Sequence, residues 1–305
     1  MILKKEISKL IKEKALELGF DDCGISKAEF LPEHEKPLKE WIIKNQGYHP
    51  YLEKNTELRL DASKLFKNAK SVISLIKNYY PESKQKGKYL IAKYAYGQDY
   101  HKVIKSKLYQ LIDYISSLKS DFTFKAFVDS SPFLEKAMAV KSGLGHIGKN
   151  NLLITNSSGS FFFLSEIIID FELEYENVSK KDICGECSLC IDACPTNALY
   201  APYHLDVSKC ISALTIEIKD PIPEEFKGKL NGWIYGCDIC QDVCPHNNNS
   251  IPHNEPLFYS ENDLLEMSDD DWENLTEEKF KSLFKHSAIK RTKYNKFYSN
   301  ILFNK

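Results

Sequence analysis

Eight of the nine cysteines fall between Cys184 and Cys244, and their spacing is that of metal-cluster ligands. Cys184, Cys187, Cys190 and Cys194, followed by Pro195, spell C-x2-C-x2-C-x3-C-P; Cys237, Cys240 and Cys244, followed by Pro245, repeat its second half, with Cys210 between. Two-residue gaps let successive thiolates converge on corners of one cubane, while the cysteine beyond the three-residue gap points away toward the other cluster. By that crossing rule one four-iron four-sulfur cluster takes Cys184, Cys187, Cys190 and Cys244, and the second takes Cys194, Cys210, Cys237 and Cys240. The rival reading is two structural zinc sites, since four thiolates suit zinc equally well. Zinc motifs usually pair two CxxC knuckles, so the packed triple ending in CP favours iron and sulfur. Cys23 stands apart in an expected strand and reads as a small buried hydrophobe. Two clusters alone would make a ferredoxin; here a larger domain precedes them, so the clusters feed electrons to something that domain holds.

Three further segments carry chemistry-bearing residues. Asp129 in VDSSP ends an expected strand just before an expected helix. An acid at such a strand end points into the crevice where α/β proteins bind ligands; the competing reading is a cap on the helix that follows. Tyr94 to His101, YAYGQDYH, crowds aromatic and polar residues at a helix start, where Asp99 reads as a cap and His101 as a surface residue. Gly143 to Asn150, GLGHIGKN, nearly matches the phosphate-cradling G-x4-G-K-[ST]. Asn150 stands where the magnesium-binding hydroxyl belongs, and the loop leaves a helix and enters a strand, which excludes a nucleotide loop. Its three glycines still require a backbone that turns tightly or approaches something closely, such as a large flat cofactor.

The elements that must position these residues follow from hydrophobic periodicity. Leu3, Ile7, Leu10, Ile11, Leu16 and Leu18 form one stripe of an N-terminal helix closed by Gly19. Strands are expected at Asp22 to Ser26, Ser71 to Leu75 and Thr123 to Val128, and helices at Tyr100 to Leu118 and Pro132 to Ser142. Two more strands, Leu152 to Thr155 and Ser160 to Ile169, are joined by the turn-rich Asn156, Ser157, Ser158 and Gly159. From Leu31 to Leu65 the apolar signal is sparse, and irregular structure with a short helix around Trp41 is expected. The fold class is α+β: a layered domain over residues 1–175, a two-cluster module over 176–250 reached through the charged stretch Glu172 to Lys181, and a helical C-terminal segment over 251–305. From Lys279 to Lys305 there is no acidic residue, and Lys290, Arg291, Lys293 and Lys296 make that tail basic.

The 305 residues, 43% hydrophobic and 28% charged, are those of an ordinary globular protein, which excludes disordered and collagen-like chains. No run approaches a membrane span, and the first residues alternate apolar and charged where a signal peptide would be continuously apolar, so a cytoplasmic protein is expected. A formal net charge of −2 excludes a globally basic nucleic-acid binder and leaves room for a local basic face.

The strings VDSSPFLEKAMAVKSGLGHIGKNNLLI, CGECSLCIDACPTNAL, CISALTIEIKDPIP and YGCDICQDVCPHN, with HSAIKRTKYNKFYSN near the C-terminus, together resemble the epoxyqueuosine reductase family over nearly the whole chain. The resemblance implies a cobalamin domain related in fold to flavin-binding nitroreductases, followed by two 4Fe-4S clusters. It also implies reduction of an epoxide to the alkene of queuosine at the wobble position of tRNA. It assigns the general acid to Asp129, and cobalamin contacts to Arg59, Ala92, Asp129, Leu153, Leu164, Ile167, Ser212 and Asp238. An external electron donor such as a flavodoxin or ferredoxin is implied as partner. Removing the epoxide oxygen takes two electrons and two protons, and a carboxyl donates a proton near neutrality when burial raises its pKa. His146 stands where the family usually has a bulky apolar or aromatic residue, and longer members carry a C-terminal helical-repeat domain, whose tRNA contacts the basic tail would replace. The alternatives are a reductive dehalogenase-like cobalamin enzyme and an electron-transfer or cobalamin-handling protein.

Overall fold

The computed structural model describes residues 4–48, 53–155, 158–178, 181–260 and 263–305. The first half runs α1 (Lys4–Glu17), β1 (Asp22–Lys27), α2 (Pro32–Lys44), α3 (Thr56–Leu60), α4 (Ala62–Leu65), β2 (Ser71–Asn78), the short β3 (Leu90–Ile91), α5 (Tyr100–Leu118), β4 (Phe124–Phe127), α6 (Glu135–Lys141), the short pair β5 (His146–Ile147) and β6 (Leu153–Ile154), and β7 (Phe162–Ile169). Four strands make an antiparallel sheet in the order β1-β2-β7-β4. The apolar stripe of α5, from Val103 to Ile115, packs with Ile11 and Ala15 of α1 on one face of that sheet. The first turns of α6 cover the other face, with Ala137, Met138 and Ala139 buried. Enclosed on both sides, every residue of β2 is buried, which explains why its apolar residues fall on both faces of the strand and do not alternate.

Two expectations change here. The segment after Leu31 is mostly helical, and no side chain of the 13-residue α2 is buried, which is why its apolar signal is thin. The strands near residues 153 and 162 are not a hairpin: β6 pairs with β5, β7 pairs with β2 and β4, and only a bridge between Thr155 and Gly159 connects the two systems. Asn156 and Ser157 of the expected turn lie outside the described residues.

The second half adds α7 (Leu189–Asp192), β8 (Leu199–Ala201), β9 (His204–Leu205), α8 (Ile211–Ile216), β10 (Trp233–Tyr235), α9 (Ile239–Asp242), α10 (Asp269–Glu273), α11 (Glu277–Leu283) and α12 (Lys293–Asn304). The single-turn α7 and α9 carry Cys190 and Cys240, so the repeat in the sequence is a repeat in structure. Strand β10 pairs in parallel with β3, and both flanking glycines are needed there. Gly232 (φ +82°) and Gly236 (φ +69°) would place a Cβ 1.9 Å from the Lys88 carbonyl oxygen and 2.5 Å from the Ala92 Cβ.

One apolar cluster joins Tyr89 and Ile91 to Tyr235 of the cysteine module and to Trp272, Phe280 and Phe297 of the C-terminal helices. The buried Asn300 amide of α12 donates to the Thr215 and Ile234 carbonyls. The 251–305 segment is therefore a structural wedge, and the boundaries near 175 and 250 separate motifs rather than cores. The architecture is mixed helix and sheet, and among the described residues no helix is long and apolar enough to cross a membrane.

Candidate active site and cysteine groups

Asp129 sits two residues past β4 in the left-handed region, with φ +49°, which aspartate tolerates better than most residues. It is not a helix cap: α6 begins behind Leu134, with no side-chain cap. Its N–H donates to Glu135 Oε1 at 2.8 Å, and its Oδ2 accepts from the Tyr100 hydroxyl at 2.8 Å. Tyr100 is stacked on Phe163, ring centroids 4.1 Å apart. Burial and the Asp129 charge push its phenol well above the ordinary range, so the hydroxyl stays a donor.

His101 Nε2 lies 3.9 Å from the same Asp129 oxygen. Asp99 does cap α5, accepting from the His101 N–H, but its carboxylate also meets His101 Nδ1 at 2.7 Å and accepts from Arg291 Nη2 at 3.0 Å. Against the upward push of its own burial, the His101 ring and the Arg291 guanidinium hold Asp99 below the usual carboxylate range. The crowded YAYGQDYH string is thus one end of a polar chain running from Arg291 through Asp99 and His101 to Asp129.

Two cavities meet at Asp129. The first, about 760 Å³, is lined by Tyr94, Tyr100 and Tyr235 and by Arg291, Lys293 and Lys296. The second, about 660 Å³, is lined by Arg59, Ser130, Phe133, Leu134, Ile147 and Asn151. The basic tail is therefore neither remote nor merely solvated: three of its cations enter the cavity that holds Asp129, while the exposed Lys290 stays outside. The Asp129 side chain is 64% exposed, so the enclosure expected around it is not provided by the described residues themselves.

Beneath Asp129 lies a pair of carboxyl groups that sequence reading missed. Glu135 opens α6, and Glu166 is wholly buried in β7. Burial and the Asp129 charge raise the pKa of Glu135; burial and Glu135 raise that of Glu166.

The eight cysteines of the module lie close to one another. Cys190 feels Cys184, Cys244 and Cys187, and Cys244 feels Cys184 and Cys187. Cys237 feels Cys240 and Cys210, and Cys240 feels Cys210 and Cys194 and also Cys190, so the two expected groups adjoin. Gly185, Glu186 and Ser188 are exposed beside the group of Cys184, Cys187, Cys190 and Cys244; the other has buried neighbours in Ile211, Asp238 and Gln241.

The glycine-rich loop holds both groups. Lys149 Nζ donates to the carbonyls of Gly185 at 2.5 Å and Cys187 at 3.0 Å, and the Asn150 amide donates to the Cys240 carbonyl at 3.2 Å. The loop runs from the end of α6 through β5 toward β6, in the helix-to-strand order expected. What its glycines approach is the chain itself: a Cβ on Gly145 would meet the Ile154 carbonyl oxygen at 2.3 Å, and one on Gly148 the Ile154 Cδ1 at 2.5 Å. His146 is half-buried in β5, opposite Ile154.

Of the other residues singled out as cofactor contacts, Arg59 is buried in α3 and faces the second cavity with Asp129. Leu153 and Leu164 pack with Ile147, which lines that cavity. Ile167 instead belongs to the core on the opposite face of the sheet, and Ala92 is buried where Gly236 approaches it. Ser212 is half-buried in the first turn of α8. The buried Asp238 carboxylate accepts from the Lys93 N–H at 2.8 Å and pairs with its ammonium at 3.2 Å. Of these residues only Arg59 and Asp129 line the second cavity, while Ala92, Leu153, Leu164, Ile167, Ser212 and Asp238 line neither cavity. Tyr100, His101, Glu135 and Glu166 are residues around Asp129 that the sequence did not single out as such. Cys23 is buried in β1, as expected.

Residues 183–247 match the family described as a 4Fe-4S double cluster binding domain, and residues 59–130 match the family described as epoxyqueuosine reductase QueG, DUF1730. The chain is 52% identical over 307 residues to an epoxyqueuosine reductase of Cellulophaga algicola, with 100% of both chains covered. It is 35% identical to that of Escherichia coli, covering 97% of this chain and 80% of the relative. A crystal structure of epoxyqueuosine reductase with an epoxyqueuosine-modified tRNA-Tyr stem loop matches at TM-score 0.87 and 28% identity, over 98% of this chain and 80% of the other. One from Bacillus subtilis, with its catalytic aspartate loop swung out of the active site, matches at TM-score 0.87 and 27% identity, again over 98% and 80%.

Proposed function

The chain belongs to the epoxyqueuosine reductase family, and we propose that it reduces epoxyqueuosine in tRNA to queuosine with Asp129 as proton donor on the wall between a cobalamin cavity and a nucleotide cavity. It is an oxidoreductase whose cysteine module binds two iron-sulfur clusters. The observation that carries the finer reading is the position of Asp129, the one acid lining both cavities. Residues 1–175 would form the cobalamin domain, with nitroreductase-like layering, 176–250 the cluster module and 251–305 the wedge that completes the nucleotide cavity.

The second cavity fits a corrin in its chemistry. Phe133, Leu134 and Ile147 offer an apolar floor, and Arg59 and Ser130 offer polar groups for the amide fringe. Lys136, which lines this cavity, neighbours Cys240 of the deeper thiol group, so the cavity adjoins one cluster. A cobalamin bound there supplies a metal centre that accepts electrons from the clusters and acts on the epoxide.

The remaining work falls to side chains. Ligands filling both cavities would strip water from Asp129, whose carboxyl would carry a proton to the departing oxygen. The Tyr100 hydroxyl fixes Oδ2, and the His101 ring, oriented by Asp99, stands 3.9 Å from it. Arg291, Lys293 and Lys296 would neutralise phosphates while the tyrosines stack on unpaired bases. An external donor such as a flavodoxin or ferredoxin would deliver electrons to the group of Cys184, Cys187, Cys190 and Cys244, whose surroundings are exposed.

The test is reconstitution without air. Protein loaded with iron and cobalamin, given a chemical reductant and an epoxyqueuosine stem loop, should yield queuosine by nucleoside mass spectrometry. A preparation that holds zinc, takes up no iron and leaves the epoxide intact would overturn the assignment.

A further inference from the structure

Glu166 has no ordinary reason to be where it is. It lies in the middle of β7 between Leu164 and Ile168, on the face that packs against α6, and it is completely buried. The strands on either side place Ser74 and Phe127 next to it, and the Ser74 hydroxyl oxygen accepts from the Ser142 hydroxyl. Neither Glu166 oxygen has a donor among the described residues. The charged group that bears on it most is the carboxyl of Glu135, whose proximity adds to burial in favouring a protonated Glu166.

Two carboxylates cannot bond to each other, and an ionised carboxylate without a donor in an apolar seam is strongly unfavourable. One proton between them resolves both problems, as in other carboxyl pairs whose like charges cannot both be ionised. Glu135 is held from the other side as well, since its Oε1 accepts the N–H of Asp129 at 2.8 Å. That amide belongs to a residue in the left-handed region, where a backbone position persists only if its surroundings fix it.

We propose that Glu135 and Glu166 share a single proton and act as positioning residues, clamping the Asp129 backbone so that its carboxyl faces both cavities. The charged groups around the pair are few. Asp129 lies ahead of α6, and the ammonium of Lys136, beside Glu135, donates to the Asn151 carbonyl. Arg59 faces the cavity from α3. Asp129 and Glu135 both oppose further negative charge, so the proton is retained at neutral pH. As pH rises through the alkaline range it leaves, the two carboxylates repel, and Glu135 withdraws from the Asp129 amide. The kinetic consequence rests on Asp129 being the proton donor; the shared proton does not.

The experiment combines infrared spectroscopy with pH profiles of the holoenzyme. At neutral pH the wild type should show the carbonyl stretch of a protonated carboxyl, shifted by isotope-labelled glutamate and absent from Glu166→Gln. In the wild type kcat should fall as that band titrates, with KM for the stem loop unchanged. In Glu166→Gln, whose amide donates to Glu135 without titrating, the alkaline fall should disappear. Glu166→Leu should lower kcat at every pH, by up to about a hundredfold, the cost of a misplaced catalytic group. Should Glu166→Gln not fold, Glu135→Gln, whose amide can serve both neighbours, gives the same readings. A wild type without a Glu166-dependent band, or an alkaline limb identical in wild type and Glu166→Gln, overturns the proposal. Asp129→Asn must keep the band, so full activity in that variant would remove the donor assignment while leaving the shared proton standing.

Discussion

The two cavities beside Asp129 are similar in size, about 760 and 660 Å³, and different in make. One is walled by tyrosines and by Arg291, Lys293 and Lys296, with Glu217 and Asp220 also in its lining; the other has the apolar Phe133, Leu134 and Ile147 together with Arg59. The first suits a charged polymer that must bind and leave, because phosphate neutralisation is strong, long-ranged and sensitive to salt. The second suits a plate that stays, because apolar contact with a few fixed polar groups is tight and largely insensitive to salt. A single acid on their common wall lets a resident group and a passing substrate react without sharing binding residues. The lesson is that the division of labour lies in the linings, and the chemistry lies at the seam.

That contrast can be broken by substitutions that hit the seam, one cavity, the other, or neither. Asp129→Asn should have the largest effect: kcat falls by about 10² to 10⁴, the range for loss of a general acid, while cofactor content and KM hold. Loss of cofactor or of folding would instead give Asp129 a structural role. Next comes Arg59→Gln, which removes a charge-assisted hydrogen bond and should weaken cobalamin retention roughly ten- to a hundredfold, read by absorbance after gel filtration. Its KM for the stem loop should not move. The double change Lys293→Gln and Lys296→Gln should raise KM several-fold and flatten the salt dependence of tRNA binding by about two phosphate contacts, with cobalamin retained. Lys290→Gln, outside the cavity, should change KM less than about twofold, the ordinary range for a surface substitution. If Arg59→Gln raised KM, or the lysine pair emptied the cofactor, the two cavities would be one site. Arg291 is a poor probe of either, since its guanidinium also holds Asp99 and contacts His101.

The cysteine module was legible in the sequence as a two-cluster domain because ligand chemistry dictates local spacing, and local spacing is what a sequence displays. Asp129 was half legible. Its strand-end position pointed to a site, yet a helix cap was equally consistent until the backbone showed that Leu134 holds that place. Tyr100 and His101 could not be assigned because their partner lies 29 and 28 residues away in sequence, brought near by packing of α5 beside β4. Glu166 did leave a trace, as the single charge inside FFFLSEIII, but nothing in the string names Glu135 as its neighbour. Ile167 and Leu164 illustrate a readable constraint that family likeness overrode. Three apart on one strand, they face opposite sides of the sheet and do not share a floor. The basic tail showed its charge but not its address, because only the wedge formed by Phe297 and Asn300 sets α12 beside Asp129.

The short run Lys149, Asn150 and Asn151 reaches in three directions: to the Gly185 and Cys187 carbonyls, to the Cys240 carbonyl, and onto the wall of the second cavity. Two of its three anchor points are carbonyls of the expected cluster ligands Cys187 and Cys240, so the cavity wall is moored to backbone that a bound cluster would brace. A protein stripped of its metal would then lose more than electron carriers, because the mooring of that wall would loosen with them.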